Sequence, residues 1–226
     1  MLIKVKPNNY DILAGRVKMQ SIFDVPLIEI KHDLMPVWQF TLKRMFDVVI
    51  SLSALFLLSP LFLLSTILVK IGSQGPVFFY QERIGIHGDL FKIIKFRSMF
   101  IDAEKNGPQL SSDSDPRITK WGNIMRRYRI DELPQFWNVL KGDMSIVGPR
   151  PLFDEDTKLF NETYMRRLNV LPGLTGLLQI NERNTDQFST WYKYDMEYID
   201  NWSLLLDLKI ILKTPFSIFT SKIQGE

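Results

Sequence analysis

The sequence predicts an α+β fold joined to a membrane-embedding segment, on three observations. An apolar run from Val48 to Val69 carries no formal charge and lies between Lys43-Arg44-Met45-Phe46-Asp47 and Lys70. Two alternating stretches, Val77–Ile84 and Leu90–Arg97, flank the turn material Gly85-Ile86-His87-Gly88-Asp89 and read as a hairpin. The block Ile118–Leu140 and the apolar stretch Trp202–Lys213 have helical character. A chain of 226 residues has room for one sizeable domain with appendages. Its 23% charged and 46% hydrophobic residues fit neither global disorder nor a polytopic membrane protein.

The apolar run meets the roughly 20 residues a bilayer-crossing helix needs. It begins too far into the chain for a signal peptide. Ser59-Pro60 sits near its midpoint, and proline removes a backbone donor and crowds the preceding turn, so a kink or break is expected there. Two topologies stay open on physics alone: a kinked spanning helix, or a chain that turns back to the side it entered from. Basic residues flank the run on both sides and do not choose between them. Beyond it, Gly72–Pro76 is turn material, and the polar stretch Asp102–Pro116 reads as a loop. The C-terminal stretch places Lys209 and Lys213 four apart behind Trp202, which suits a helix in a membrane interface or one packed in a core; Pro215 is expected to end it.

The chemistry candidates begin with absences. There is no cysteine, hence no disulfide framework, thiolate metal site or cysteine nucleophile. The two histidines, His32 and His87, are scattered, which argues against a histidine metal site or a serine–histidine triad. A net charge of +3 does not by itself imply nucleic acid. The informative stretch is Arg126-Arg127-Tyr128-Arg129-Ile130-Asp131-Glu132-Leu133-Pro134-Gln135, adjacent carboxylates inside a cluster of positive charge. The plainest role for Asp131 is a helix N-cap with Pro134 in the first turn. An ionised aspartate there could also attack phosphorus or hold a divalent cation, with Arg126, Arg127 and Arg129 offsetting phosphate charge. Arg150, between Pro149 and Pro151, is presented on a restricted backbone, and its planar fork suits phosphate; an ordinary exposed turn is the bland alternative. Lys92, Lys95 and Arg97 on the second strand read individually as a solvated face. A basic binding module built on Arg117, Lys120 and the Arg126–Arg129 cluster is disfavoured, because the carboxylates within it would repel nucleic-acid phosphate.

Eight features occur in order: Lys43-Arg44-Met45-Phe46-Asp47, the apolar run with Ser59-Pro60, Gln81-Glu82-Arg83-Ile84-Gly85, Lys95-Phe96-Arg97-Ser98-Met99, Asp131-Glu132-Leu133-Pro134-Gln135, Trp137 to Ser145, Gly148-Pro149-Arg150-Pro151 and Pro172-Gly173-Leu174-Thr175-Gly176. Together, over about residues 40 to 215, they closely resemble the bacterial sugar transferases, the monotopic polyprenyl-phosphate sugar-1-phosphate transferases. The resemblance implies transfer of a sugar-1-phosphate from a UDP-sugar to undecaprenyl phosphate, with release of UMP, as the first membrane step of glycan synthesis. It implies Asp131 as nucleophile, forming a covalent phosphosugar intermediate, and Glu132 as its partner. Arg126, Arg150, Lys95 and Arg97 would bind phosphate or substrate, and Mg²⁺ would sit at Asp131. It also implies a re-entrant helix with its turn-back point at Ser59-Pro60, followed by a small cytoplasmic α/β catalytic domain with amphipathic interfacial helices. The bacterial inner membrane, cytoplasmic face, is the expected location, with downstream glycosyltransferases as potential partners.

The expected division is an N-terminal extension over 1–40, a membrane helix over 41–71 and a catalytic domain over 72–226. Two departures from the family pattern stand out. Many relatives carry a glycine between the asparagine and arginine that follow Pro172–Gly176, where this chain reads Asn181-Glu182-Arg183-Asn184. Phe23–Ile30 looks like the linker that precedes the catalytic part in long relatives, so the chain reads as a short form with a vestigial N-terminal strand and linker. The alternative to an enzyme is a catalytically inactive scaffold of a glycan assembly complex; the intact Asp131-Glu132 pair and Arg150 argue against it. The sugar is not legible.

Overall fold

A computed structural model describes residues 3–5, 19–22, 25–30, 37–104, 115–161, 163–182 and 187–220. The chain divides into two units, Met1–Pro36 and Val37–Glu226. In the first, β3 (Val25–Ile30) is the central strand of an antiparallel sheet, flanked by β1 (Ile3–Val5) and β2 (Met19–Ile22). The pairings run from Ile3 opposite Ile30 and from Ile22 opposite Val25. Within Phe23–Ile30, read as part of a vestigial strand and linker, Val25–Ile30 is strand, and Val25, Leu27 and Ile28 have the β-branched and apolar character that suits a sheet. His32 lies outside the described residues.

The second unit opens with α1 (Val37–Leu57) and α2 (Ser59–Gly72), bent by 63° at Leu58. Pro60 falls in the first turn of α2, where its missing N–H would have no helical partner, and the Ser59 hydroxyl donates to the Phe56 carbonyl at 2.8 Å. The proline predicted to break the run does break it. Among the described residues no single helix is long and apolar enough to cross a membrane, while the bent pair is so together.

The polarity of α1 is inside out. Lys43, Asp47 and Ser51, four apart on one face, are buried against the rest of the unit. Phe46, Val49, Leu52, Phe56 and Leu57 are exposed, Phe56 at 79%. The bend lets α2 turn Phe62 and Val69 onto Phe96 and Met125, with the Phe62 and Phe96 ring centroids 4.7 Å apart.

Strands β4 (Phe78–Ile84) and β5 (Leu90–Phe96) form the expected antiparallel hairpin, with Phe78 opposite Phe96 and Ile84 opposite Leu90. The reversal uses positive φ at His87 (59°) and Gly88 (86°). Of the polar stretch 102–116, residues 105–114 lie outside the described residues. Helix α3 (Lys120–Tyr128) is capped by Thr119, whose hydroxyl accepts from the Gly122 N–H at 2.9 Å. A short 3₁₀ turn, Ile130–Glu132, leads into α4 (Gln135–Lys141). Arg44 of α1 donates to the carbonyls of Val139 and Leu140 at the end of α4.

Strand β6 (Ser145–Val147) pairs in parallel with β7 (Gly173–Thr175). Their continuation is locked by Gly148 N–H to Thr175 carbonyl at 2.9 Å and Gly173 N–H to Pro149 carbonyl at 2.8 Å. A side chain on Gly173 would collide with the Gly148 backbone, which explains the glycines in two of the recognised motifs. Three helices follow: α5 (Leu177–Asn181), α6 (Phe188–Asp200) and α7 (Leu204–Thr220).

Pro215 lies inside α7 and does not end it. The hydroxyls of Thr214 and Ser217 donate to the Ile210 and Thr214 carbonyls, both at 2.8 Å, supplementing the backbone ladder around the proline. Helix α7 is inside out like α1: Asp207 is buried, and Leu205, Leu208, Leu212 and Phe216 are exposed along one stripe. A buried charge cluster joins the two helices. Lys43 pairs with Asp207 at 2.5 Å and donates to the Val147 carbonyl at 2.9 Å, while Tyr198 and Trp202 donate to the same carboxylate at 2.8 and 3.2 Å. Asp47 accepts from the Ile146 N–H at 2.9 Å. Both outward-apolar helices are thereby fixed to β6.

Candidate active site

Asp131 and Glu132 sit on the 3₁₀ turn between α3 and α4, and not at a helix N-cap as the sequence suggested. The reason is local. Arg129 adopts the left-handed conformation (φ 58°) and terminates α3, after which the main chain bonds to itself: Glu132 N–H to Arg129 carbonyl and Leu133 N–H to Ile130 carbonyl, both at 3.2 Å. Pro134 precedes α4, and the first donors of α4 reach Leu133 and Pro134 carbonyls. No side-chain cap is needed, so the Asp131 carboxylate is left for other work.

Two cavities meet at this turn. The larger, about 640 Å³, is lined by Asp131 together with Arg126, Arg117, Ser98 and Gln81. The smaller, about 280 Å³, runs between α1, α4, β7 and α7. Glu132, Lys95, Arg129 and Arg150 line both. Asp131 lines only the larger.

The two carboxylates have opposite electrostatics. Asp131 is 8% exposed and its Oδ1 takes no hydrogen bond among the described residues. Burial and the adjacent Glu132 push its carboxyl above the usual aspartate range, against the pull of Lys95, Arg129 and Arg126. Burial acts on Glu132 in the same sense but is outweighed by Arg129, Lys95 and Arg150, so it is held well below the usual range. Arg129 donates to it at 2.8 Å. Burial pushes the Lys95 ammonium down, as do the facing Arg150 and Arg83, while the two carboxylates oppose that shift.

Of the other predicted residues, Arg126 donates through Nε to Ser98 Oγ at 2.8 Å and faces the larger cavity. Arg150 follows β6 on the Gly148-Pro149 turn. Arg97 lines the larger cavity, but its guanidinium holds the Ser73 and Gln74 carbonyls at 2.8 and 2.7 Å, closing the connection from α2 to β4. Lys92 stands opposite Glu82 on an exposed face, as the bland reading had it. Ser59 and Pro60 lie at the helix break and line neither cavity.

Three contributors escaped sequence reasoning. Arg83 is buried, stacks 3.2 Å from the Phe153 ring centroid and lines the smaller cavity; burial and Arg150 push its guanidinium down to about 10. Its place inside Gln81-Glu82-Arg83-Ile84-Gly85 was the available signal. Arg167 donates to the Arg150 carbonyl at 2.5 Å and pairs with Asp195 at 3.4 Å, which in turn accepts from the Tyr164 hydroxyl at 2.7 Å. No local pattern announces Arg167 or Asp195, because the contacts join distant parts of the chain.

The residues present fit a divalent cation only with substrate help. Among the described residues no group of three or more His, Cys, Asp or Glu side chains converges. The uncommitted Oδ1 of buried Asp131 beside Glu132 fits instead the mode in which Mg²⁺ takes one or two carboxylates plus substrate phosphate oxygens and water.

A buried Asp131 beside a partly buried Glu132, ringed by arginines and a lysine and opening on two cavities, defines a site for phosphoryl chemistry. Residues 38–221 match the bacterial sugar transferase family, and the chain belongs to that family and is a transferase enzyme. It is 42% identical to the exopolysaccharide production protein ExoY of Sinorhizobium fredii over 76% of this chain and 83% of that one. It is 40% identical to a UDP-N-acetylgalactosamine-undecaprenyl-phosphate N-acetylgalactosaminephosphotransferase of Aeromonas hydrophila, over 93% of this chain and 50% of that one. A UDP-glucose:undecaprenyl-phosphate glucose-1-phosphate transferase of Escherichia coli is 39% identical over 94% of this chain and 47% of that one. The chain thus spans about half the length of the last two relatives and most of the first.

Proposed function

We propose that the protein transfers a sugar-1-phosphate from a UDP-sugar to undecaprenyl phosphate at the cytoplasmic face of the bacterial inner membrane, in a glycan-assembly pathway such as exopolysaccharide synthesis. The observation that carries this is Asp131: a buried carboxylate with an uncommitted oxygen, facing a cavity that Arg126, Arg150 and Lys95 make positive. An Asp131 oxygen attacks the sugar-linked phosphorus. The bond from that phosphorus to the bridging oxygen breaks, and UMP leaves with the electron pair. A lipid phosphate oxygen then attacks the same phosphorus, forming the lipid diphosphate sugar and returning the aspartyl oxygen as a carboxylate. Both steps conserve charge when the lipid phosphate is a dianion, so no proton need cross the site.

The chain's own groups divide the electrostatic work. Arg126, held by Ser98, and Lys95 face the donor phosphates, and Arg150 faces both cavities. Glu132, kept ionised by Arg129, holds Lys95 and Arg129 in place and balances their charge. Mg²⁺, when bound by Asp131 with donor oxygens, would supply charge neutralisation of the pyrophosphate.

Membrane attachment rests on the exposed apolar faces of α1, α2 and α7, too extensive for a surface in water. The 63° bend supports a re-entrant segment that returns to the side it came from. Because the chain has no cysteine, Trp38→Cys and Gln74→Cys can each be labelled cleanly. Both should react with a membrane-impermeant maleimide from the catalytic side only; reaction from opposite sides would mean a spanning helix. Activity is tested with protein in nanodiscs and a panel of UDP-sugars. UMP release should be sustained by one sugar, require undecaprenyl phosphate for turnover and vanish in Asp131→Asn. A folded protein that releases UMP from none of the panel would overturn the proposal.

A further inference from the structure

The smaller cavity differs from the larger in one respect that matters. The part it shares with the larger cavity carries Lys95, Arg129 and Arg150 around Glu132, Arg83 also lines it, and Ile50, Leu133, Phe136 and Ile211 supply apolar lining. Two of those apolar residues belong to α1 and α7, the helices whose opposite faces expose Phe56, Leu205, Leu212 and Phe216. The Lys43–Asp207 pair holds both helices against β6, so an apolar surface and an apolar cavity lie on the two sides of the same pair of helices. The larger cavity has no residue of α1 or α7 in its lining.

We propose that the smaller cavity is the acceptor site, taking the phosphate and first isoprene units of the polyprenyl phosphate, while the UDP-sugar occupies the larger one. This deepens the proposed function and rests on it. A molecule with a dianionic head and a branched hydrocarbon tail matches a cavity that is cationic at one end and apolar along its walls. At about 280 Å³ the cavity falls just below the usual size of ligand pockets, roughly 300–1,000 Å³, so it takes the head end and leaves the remaining chain among the lipids. The four residues common to both cavities form the doorway. There, in the position vacated by the UMP phosphate, an acceptor phosphate oxygen approaches the phosphorus carried on Asp131 from the side opposite the aspartyl oxygen. The new P–O bond forms as the aspartyl O–P bond breaks, and the carboxylate leaves with its electron pair. Glu132, which lines the doorway, faces the acceptor, whereas Asp131 faces the donor.

The two half-reactions separate this assignment from the function itself. Thr214 of α7 lines the smaller cavity beside Thr175, with their hydroxyls 2.8 Å apart, so Thr214→Trp fills the space. Expected for the variant is single-turnover UMP release from the donor within about twofold of wild type, with the KM for undecaprenyl phosphate raised on the order of tenfold or more. Equal loss in both half-reactions, or an unchanged lipid KM, overturns the acceptor assignment. UMP release by the wild type would still stand in either case, and its absence is the separate failure of the proposed function. A second measurement uses the unaltered protein and an isoprenyl phosphate carrying a diazirine in its first isoprene unit. Cross-links to Leu133, Phe136 or Ile211 are expected. Cross-links confined to Leu205 and Leu212 on the outer stripe, or no cross-link at all, would also overturn it.

Discussion

Asp131 and Glu132 are neighbours on one 3₁₀ turn, yet their surroundings push them in opposite directions. Asp131 has an oxygen without a partner among the described residues and faces the larger cavity; Glu132 is tied to Arg129 and lines both cavities. Burial acts on both. The difference lies in where the charges stand: Arg129, Lys95 and Arg150 overcome burial at Glu132, whereas at Asp131 the charge of Glu132 adds to burial and Lys95, Arg129 and Arg126 do not overcome the two. One carboxylate is left basic and uncommitted, as a nucleophile requires, and the other is fixed as a permanent anion that positions cations.

The largest expected effect removes the uncommitted member. Asp131→Asn should lower turnover on the order of 10³-fold or more, read as UMP release. Stability should not follow. A carboxyl whose folded pKa is raised contributes stability below its unfolded pKa and loses it as pH rises through the folded value. At neutral pH the ionised Asp131 is thus a net cost, so the variant should melt at the same temperature as wild type or higher.

Removing the cation that sets Glu132 apart should do the reverse to the fold. Arg129→Met leaves a partly buried carboxylate without its ion-pair partner, and chemical denaturation should show a loss of about 1–2 kcal/mol. Activity should fall as well, since Arg129 lines both cavities.

The pH profile sharpens the comparison further. Asp131 acts only when ionised, so activity should fall with acid through a single limb placed above the ordinary aspartate value of about 3.9. Glu132, held low, stays ionised through that window. Glu132→Gln removes the like charge beside Asp131 and should move the limb to lower pH; an unmoved limb would mean the two carboxylates are not coupled as described.

The smallest effect lies behind Arg150. Asp195→Asn weakens the hold on Arg167, which fixes the Arg150 carbonyl, and should cost about 1–2 kcal/mol in stability with a raised KM and a modestly changed kcat.

The sequence made the hairpin, the helix break and the carboxylate-bearing turn legible, because each has a local cause: alternation, a proline, a charge cluster. It misplaced Asp131 at an N-cap, since nothing in Arg129 announces a left-handed residue that ends α3 early. It ended α7 at Pro215, where hydroxyl contacts from Thr214 and Ser217 carry the helix onward. Arg97 reads as a ligand beside Lys95, yet it closes a backbone connection, while Arg83 lines a cavity. The register puts Arg83, Lys95 and Arg97 on one face of the hairpin, so alternation does not separate them, and only the packing of α2 and of Phe153 decides which cation faces which space. The Arg167–Asp195–Tyr164 group joins segments distant in sequence and left no local trace.

The most direct test of the contrast between the two carboxylates is intact mass and peptide mapping after mixing the protein with its UDP-sugar in the absence of undecaprenyl phosphate. The account predicts a sugar-phosphate adduct on Asp131, formed with one equivalent of UMP and discharged when undecaprenyl phosphate is added. An adduct on Glu132, or lipid-dependent turnover with no adduct on either residue, would contradict it.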